Sequence, residues 1–165
     1  MLQPRSDRKP YIHAILSTWL AVIGMDFFFN AGILAPLWQE ESAFLLPAGD
    51  LFARIPLGYA AFLLWAILAV WLIARTGVQR PIEGALVATK VGVLVSVSGT
   101  LALVSISTIS VTLAVTWMFL QIIEFAYAGY VAAVVLGGAT RRAALKVAGA
   151  AVLMAVAGLV IQNLR

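Results

Sequence analysis

Cysteine is absent from this 165-residue chain, and histidine occurs once, as His13. Without cysteine the chain cannot form disulfides, carry out thiol redox chemistry, or bind an iron–sulfur cluster or a cysteine-ligated zinc ion. One histidine cannot supply the ligands of a bis-histidine haem or a multi-histidine metal site within one copy. We therefore expect no resident cofactor and no metal ion.

Charged residues are also scarce, at 11% of the sequence, whereas 63% of it is hydrophobic and the mean hydropathy is +1.03. A soluble domain has about 25% charged residues, so this chain has too little polar surface to cover a globule in water. The composition predicts an all-α, polytopic integral membrane protein embedded in a lipid bilayer. The net charge of +4 comes from bases near the ends of apolar segments, so we expect no nucleic-acid partner.

Five apolar segments are long enough to cross a bilayer, which takes about 20 residues each. The predicted organisation is a cytoplasmic tail (1–10) and one transmembrane domain (11–165), with helices at about 11–37, 55–74, 82–105, 109–138 and 143–163. Basic residues before the first segment are also typical of a signal peptide. That segment is too long and contains Asp26, so we expect an uncleaved first helix. Pro56 is expected in the first turn of the second helix.

The basic residues indicate an orientation. Eight of the eleven Lys and Arg residues fall on one side of the predicted membrane: Arg5, Arg8, Lys9, Arg75, Arg80, Arg141, Arg142 and Lys146. The positive-inside rule then predicts a cytoplasmic N-terminus and an outside C-terminus. Separately from this rule, we expect the membrane to be a bacterial inner membrane.

Ionisable residues within the spans are the candidate site. Asp26 lies inside the first span, and Asn30 follows one helical turn later on the same face. Glu124 lies at a similar depth in the fourth span and shares a face with Gln121, whereas Lys90 lies shallower in the third span. If the first, third and fourth helices pack together, these five residues form one polar centre.

Two interpretations of this centre are open. In the functional one, the carboxylates bind a proton, a cation or a cationic lipophile. In the structural one, Lys90 neutralises one carboxylate and the other is protonated or hydrogen-bonded. Two acids and one base cannot all pair, which favours the functional interpretation.

Other residues carry weaker signals. His13 is expected to be an interfacial residue, with a pigment ligand or proton relay as the alternative. Three tryptophans lie too deep for an interfacial belt and are expected to fill core or lipid-facing space, or else to line a pocket for an apolar or cationic ligand: Trp19, Trp65 and Trp117. Small residues in the middle of the third span indicate a packing surface: Gly92, Ser96, Ser98, Gly99 and Thr100.

Two motifs resemble those of a family of small bacterial polytopic membrane proteins of unknown function. They are Asp26-Phe27-x-x-Asn30-Ala31-x-x-Leu34-Ala35-Pro36-x-Trp38 and Pro81-Ile82-Glu83-Gly84-Ala85. The resemblance covers the first four spans and implies architecture but no activity; the fifth span looks like an addition. Asn30 stands where the family leads us to expect histidine, which weakens a metal or proton-relay role there.

Three functions fit these observations. The leading hypothesis is a non-enzymatic protein that binds or translocates a small ligand or ion around Asp26 and Glu124, as a homo-oligomer. The second is an accessory subunit of a larger respiratory or photosynthetic membrane complex. The third is a membrane enzyme for a lipid or sterol-like substrate, with the two carboxyls as acid and base. No nucleotide loop, zincin motif or nucleophile elbow occurs, so an enzyme is the less favoured class.

Overall fold

The computed structural model describes residues 8–39, 44–138 and 141–164, and the regular structure in these ranges is helical. The elements in chain order are α1 (Arg8–Asp26), a π-helix (Phe27–Ile33), α2 (Ala35–Gln39), α3 (Ala48–Thr76), α4 (Pro81–Ile106), α5 (Val111–Leu136) and α6 (Arg141–Asn163).

Five helices in these ranges are long and apolar enough to cross a membrane. They are α1 continued through the π-helix, then α3, α4, α5 and α6. The predicted all-helical, five-span architecture is therefore confirmed. The orientation of the termini stays a prediction, and Arg5 and Arg165 lie outside the described residues.

The helix of the second span begins earlier than predicted, although the part apolar enough to cross a membrane, Ala53–Thr76, begins close to the predicted start. Helix α3 starts at Ala48 rather than near residue 55, so Pro56 lies inside the helix and not in its first turn. Pro47 precedes the helix with extended backbone angles, and Asp50 in the first turn complements the positive end of the helix dipole. Pro47 and Asp50 therefore mark the helix start, rather than Pro56.

Turns between the spans follow their local sequence. Gly77 ends α3 in the left-handed region, with φ of 67°, where glycine has no steric penalty. Pro81 then stands at the start of α4, where its missing N–H is not needed. Ser110 caps α5, because its hydroxyl oxygen accepts a hydrogen bond from Leu113 N at 3.2 Å.

Helices α4 and α5 form the most extensive helix–helix contact. The α4 face consists of Gly84, Ala88, Gly92 and Ser96, all buried and spaced by four residues. At Gly92 a Cβ atom would lie 2.6 Å from Phe125 Cβ, so the two backbones approach closely only because a hydrogen occupies this position. Ser98 and Gly99 are exposed instead. The predicted packing surface is therefore present, and it includes Gly92 and Ser96 but not Ser98 and Gly99.

Helix α5 is the centre of the bundle, since half of its span is buried, against 11% for the α6 span. It also packs against α1 and α3. Helix α6 lies on the far side of α1, where it contacts α1 and the π-helix far more than α5. This arrangement leaves the space between the π-helix, α3 and α5 for the candidate site.

Candidate functional site: an aromatic cavity with one carboxylate

A cavity of about 410 Å³ lies between the first span, α3 and α5. Its walls come from three parts of the chain that are far apart in sequence: Asp26, Phe27, Asn30, Ala31 and Trp38; Ile55, Gly58, Tyr59, Ala61, Phe62 and Trp65; Trp117 and Gln121. Ile55, Gly58 and Ala61 are exposed on the outside of the bundle. The cavity therefore reaches the lipid-facing surface beside α3.

A wide turn of the first span shapes this cavity. Leu34 N donates to Phe29 O at 2.7 Å, five residues earlier, so the backbone is π-helical here. Pro36 has no N–H to offer the carbonyl of Gly32, so it cannot supply the hydrogen bond that regular α-helix would need at this point. On the opposite side, a Cβ atom at Gly32 would lie 2.9 Å from Gly158 Cα. The missing donor and the contact with α6 together favour the wider winding.

Asp26 of α1, Asn30 of the π-helix and Trp38 of α2 form a hydrogen-bonded chain. Trp38 Nε1 donates to Asn30 Oδ1 at 2.9 Å, and Asn30 Nδ2 donates to Asp26 Oδ1 at 2.5 Å. The predicted one-turn relation between Asp26 and Asn30 is present as a direct contact. Because Trp38 occupies the amide oxygen of Asn30, the amide nitrogen is directed at the carboxylate. The chain thus fixes the position of Asp26 in the cavity wall.

Aromatic rings form most of the remaining wall. The Trp38 and Trp117 rings meet edge to face, with centroids 6.1 Å apart, and Phe62 and Trp65 are 5.5 Å apart. Such walls present ring faces and edges to whatever occupies the space, and ring faces attract cations. Of the three deep tryptophans, Trp65 and Trp117 line the cavity. Trp19 does not; its Nε1 donates to Tyr59 O at 2.8 Å and so ties α1 to α3.

Asp26 and Glu124 lie at the same level of the bundle, as predicted. Val22 of α1 and Ala128 of α5 pack in one buried cluster. These two helices run antiparallel. Asp26 follows Val22 by four residues and Glu124 precedes Ala128 by four, so both carboxyls lie in the same direction from this cluster. The Asp26 carboxylate interacts electrostatically with Glu124 and with the Tyr59 hydroxyl.

Glu124 differs from Asp26 in its surroundings. Its side chain is 2% exposed, and its Oε1 has no hydrogen-bond partner among the residues that the structure describes. It is not part of the cavity wall, whereas Gln121, one turn earlier on α5, is. The structure therefore places one carboxyl in the cavity wall and buries the second outside that wall.

Lys90 and His13 lie elsewhere. Lys90 is exposed on α4, and the ion pair formed within the described ranges is Arg80–Glu83, at 3.3 Å. Neither Asp26 nor Glu124 is thus paired with Lys90 in the structure. His13 is exposed near the start of α1. Within residues 8–39, 44–138 and 141–164, no three His, Cys, Asp or Glu side chains are grouped to hold a metal ion.

Several cavity residues carried no functional signal in the sequence. Trp38 reads as a marker of the membrane interface, and Tyr59 and Phe62 read as ordinary members of an apolar span. Their spacing offers a weak signal, since Tyr59 and Phe62 share one helix face and Trp65 follows three residues later. Only the packing of α3 against the first span shows that this face meets Asp26.

No family model, curated protein or solved structure matches the chain. The resemblance of the two motifs to small bacterial membrane proteins therefore stays a prediction, and a proposal about function rests on the geometry of the cavity alone.

Proposed function

We propose that the protein binds a small organic cation in the membrane-embedded cavity, with Asp26 as the counter-ion. The observation that carries this proposal is the combination of one carboxylate and six aromatic side chains around about 410 Å³ of space. Aromatic walls with a single acidic group are the arrangement that favours quaternary or protonated amines over neutral ligands.

The hydrogen bonds of Asp26 support a binding role. A carboxylate within the membrane is costly, and such residues normally mark a functional site or pair with a base. No base is paired with Asp26 in the described residues. The Asn30 amide stabilises the carboxylate without neutralising its charge. A cationic ligand is the partner that this charge lacks.

A pair of isosteric probes tests the proposal. Benzyltrimethylammonium carries a quaternary nitrogen where neopentylbenzene carries a quaternary carbon, so the two differ in charge and hardly in shape. We expect the cation to bind the detergent-solubilised protein, measured by calorimetry, at least tenfold more tightly than the neutral isostere. Asp26→Asn should remove this preference.

Glu83→Gln is the matched control. Glu83 is a carboxylate on the exposed end of α4, 3.3 Å from Arg80 and outside the cavity wall, so this variant should bind like the wild type. Equal affinity for both probes, or unchanged cation binding in Asp26→Asn, would overturn the proposal.

Uptake by reconstituted vesicles separates translocation from binding alone. Accumulation of the radiolabelled cation in wild-type vesicles, but not in Asp26→Asn vesicles, would identify a transporter. Equal accumulation with and without protein would identify a binding protein. The homo-oligomer or larger complex expected from the sequence stays a prediction.

The enzyme hypothesis has less support from the cavity. An acid–base pair acting on a bound substrate needs both carboxyls within reach of it. Asp26 lines the cavity and Glu124 does not. The accessory-subunit hypothesis stays a prediction that the native mass of the solubilised particle would test.

A further inference from the structure

Glu124 is the largest buried polar side chain in the described part of the chain, and the proposed binding site does not use it. Its side chain is 2% exposed, and Oε1 has no partner in the described part of the chain. An ionised carboxylate without a hydrogen bond or a counter-ion is very unfavourable in such a place. A protonated carboxyl is neutral, and so it fits these surroundings.

The groups around Glu124 leave Asp26 as its electrostatic partner. Helix α5 packs against α1, α3 and α4, and only slightly against α6. On α3 the Tyr59 hydroxyl interacts with Asp26, and Asp50, Arg54 and Arg75 are exposed. The charged residues of α4 and those of α6 with described side chains are exposed: Glu83, Lys90, Arg142 and Lys146. On α5 itself the titratable neighbours are Tyr127 and Tyr130, which are less buried than Glu124.

We infer that Glu124 carries a proton which it releases when a cation binds beside Asp26. This inference rests on the proposed function and adds proton coupling to it. Two carboxylates at the same level of the bundle repel each other when both are ionised, so in the empty site the burial of Glu124 and the charge of Asp26 keep the proton on Glu124. A bound cation offsets the charge of Asp26, so Glu124 can then ionise without leaving two uncompensated negative charges in the membrane.

The exchange balances in charge and atoms. One singly charged cation enters the cavity, and the O–H bond of Glu124 breaks. The electron pair stays on the carboxylate oxygen, and the proton passes to a base in solution. The net charge of the protein with its ligand is unchanged, which avoids adding an uncompensated charge to a membrane interior.

Infrared spectroscopy tests the proton on Glu124 without any ligand. We expect the solubilised wild type to show a protonated-carboxyl C=O band at neutral pH, and we expect Glu124→Gln and Glu124→Met to lose it. Glu124→Met removes the proton and leaves no buried polar atom, so it keeps the test valid if Glu124→Gln folds poorly. If the wild-type band is absent, or persists in both variants, the inference is wrong whether or not a cation binds.

Calorimetry then tests the coupling. Benzyltrimethylammonium binding is measured in two buffers of different ionisation enthalpy, which gives the number of protons released. We expect close to one proton per cation in the wild type and in Glu83→Gln, and a loss of at least half of this release in both Glu124 variants. Cation binding with an unchanged proton count in these variants would overturn the coupling and leave the proposed function standing.

Discussion

Asn30 lies one turn after Asp26 and donates its side-chain nitrogen to Asp26 Oδ1 at 2.5 Å, while its oxygen accepts a hydrogen bond from Trp38. This relationship makes a neutral side chain responsible for the position of a charged one. Substitution of Asn30 can therefore disturb the position of the Asp26 carboxylate without removing its charge.

Asn30→Ala should weaken binding of benzyltrimethylammonium by roughly tenfold, because a hydrogen bond to a charged group contributes about 1.5–3 kcal/mol and part of it is recovered by rearrangement. Calorimetry measures the affinity. Asn163→Ala is the control, since Asn163 is exposed and donates to Leu159 O on α6. Affinity unchanged in Asn30→Ala would show that the chain of hydrogen bonds does not position Asp26 for binding.

Asn30→His should retain most of the affinity. A neutral imidazole can donate from one ring nitrogen and accept at the other, which is the pattern Asn30 uses between Trp38 and Asp26. Histidine is also the residue that the motif resemblance leads us to expect at this position. A loss as large as that of Asn30→Ala would show that the imidazole does not fit the wide turn.

Trp117→Ala should lower cation affinity about fivefold or more, because it removes one aromatic wall of the cavity and its contact with Trp38. Trp71→Ala is matched to it, since Trp71 is 55% exposed on α3 and lies outside this cavity. Fluorescence-detected thermal unfolding confirms that both variants are folded. Equal cation affinity in Trp117→Ala and Trp71→Ala would show that the Trp117 ring does not contribute to binding.

Gly92→Ala and Gly99→Ala should change stability in opposite directions, although both glycines lie in α4. A Cβ at residue 92 would lie 2.6 Å from Phe125 Cβ, so α4 and α5 must separate, at about 1–3 kcal/mol. A Cβ at residue 99 meets nothing within 4 Å, so the alanine gains up to about 1 kcal/mol in helix propensity. Unfolding with a denaturing detergent measures both changes; a Gly92→Ala protein as stable as the wild type would contradict the close packing.

Glu124→Met should stabilise the protein by about 1–3 kcal/mol, because it replaces a buried oxygen without a partner by apolar atoms. Ser96→Ala follows the same reasoning on a smaller scale, as Ser96 Oγ is also buried without a partner in the described chain. The two variants are compared by the same detergent unfolding. A destabilised Glu124→Met would indicate that the carboxyl makes a favourable interaction in the folded protein.

Hydropathy predicted the five spans because each apolar run is at least as long as a bilayer needs and polar residues separate the runs. The relation of Asp26 to Asn30 was also predictable, since residues four apart share a helix face whichever helix packs beside it. Both predictions depend on local sequence alone.

The exposed position of Lys90 was not predicted, although it follows from the spacing of the small residues in α4. The buried face of α4 repeats every four residues, through Ala88 and Gly92. Lys90 stands halfway between these two and so points away from α5. Assigning the small residues to the α5 contact would have placed Lys90 on the outside.

The π-helix and the aromatic walls depend on tertiary contacts. No sequence pattern distinguishes a π-helical turn from an α-helical one, and the backbone contact between Gly32 and Gly158 that favours this turn joins residues far apart in the chain. Trp65 and Trp117 come from α3 and α5, whose pairing with the first span is a property of the whole bundle.

The contact of α6 with the π-helix has a consequence for how the protein is made. The first span leaves the ribosome before the rest of the site, but the surface that holds its wide turn belongs to α6, which follows α5 in the chain. During synthesis, Gly32 therefore faces lipid or the insertion machinery until Gly158 arrives. The geometry around Asp26 is completed late in biogenesis, so truncation within α6 should yield an inserted protein with an unfinished site.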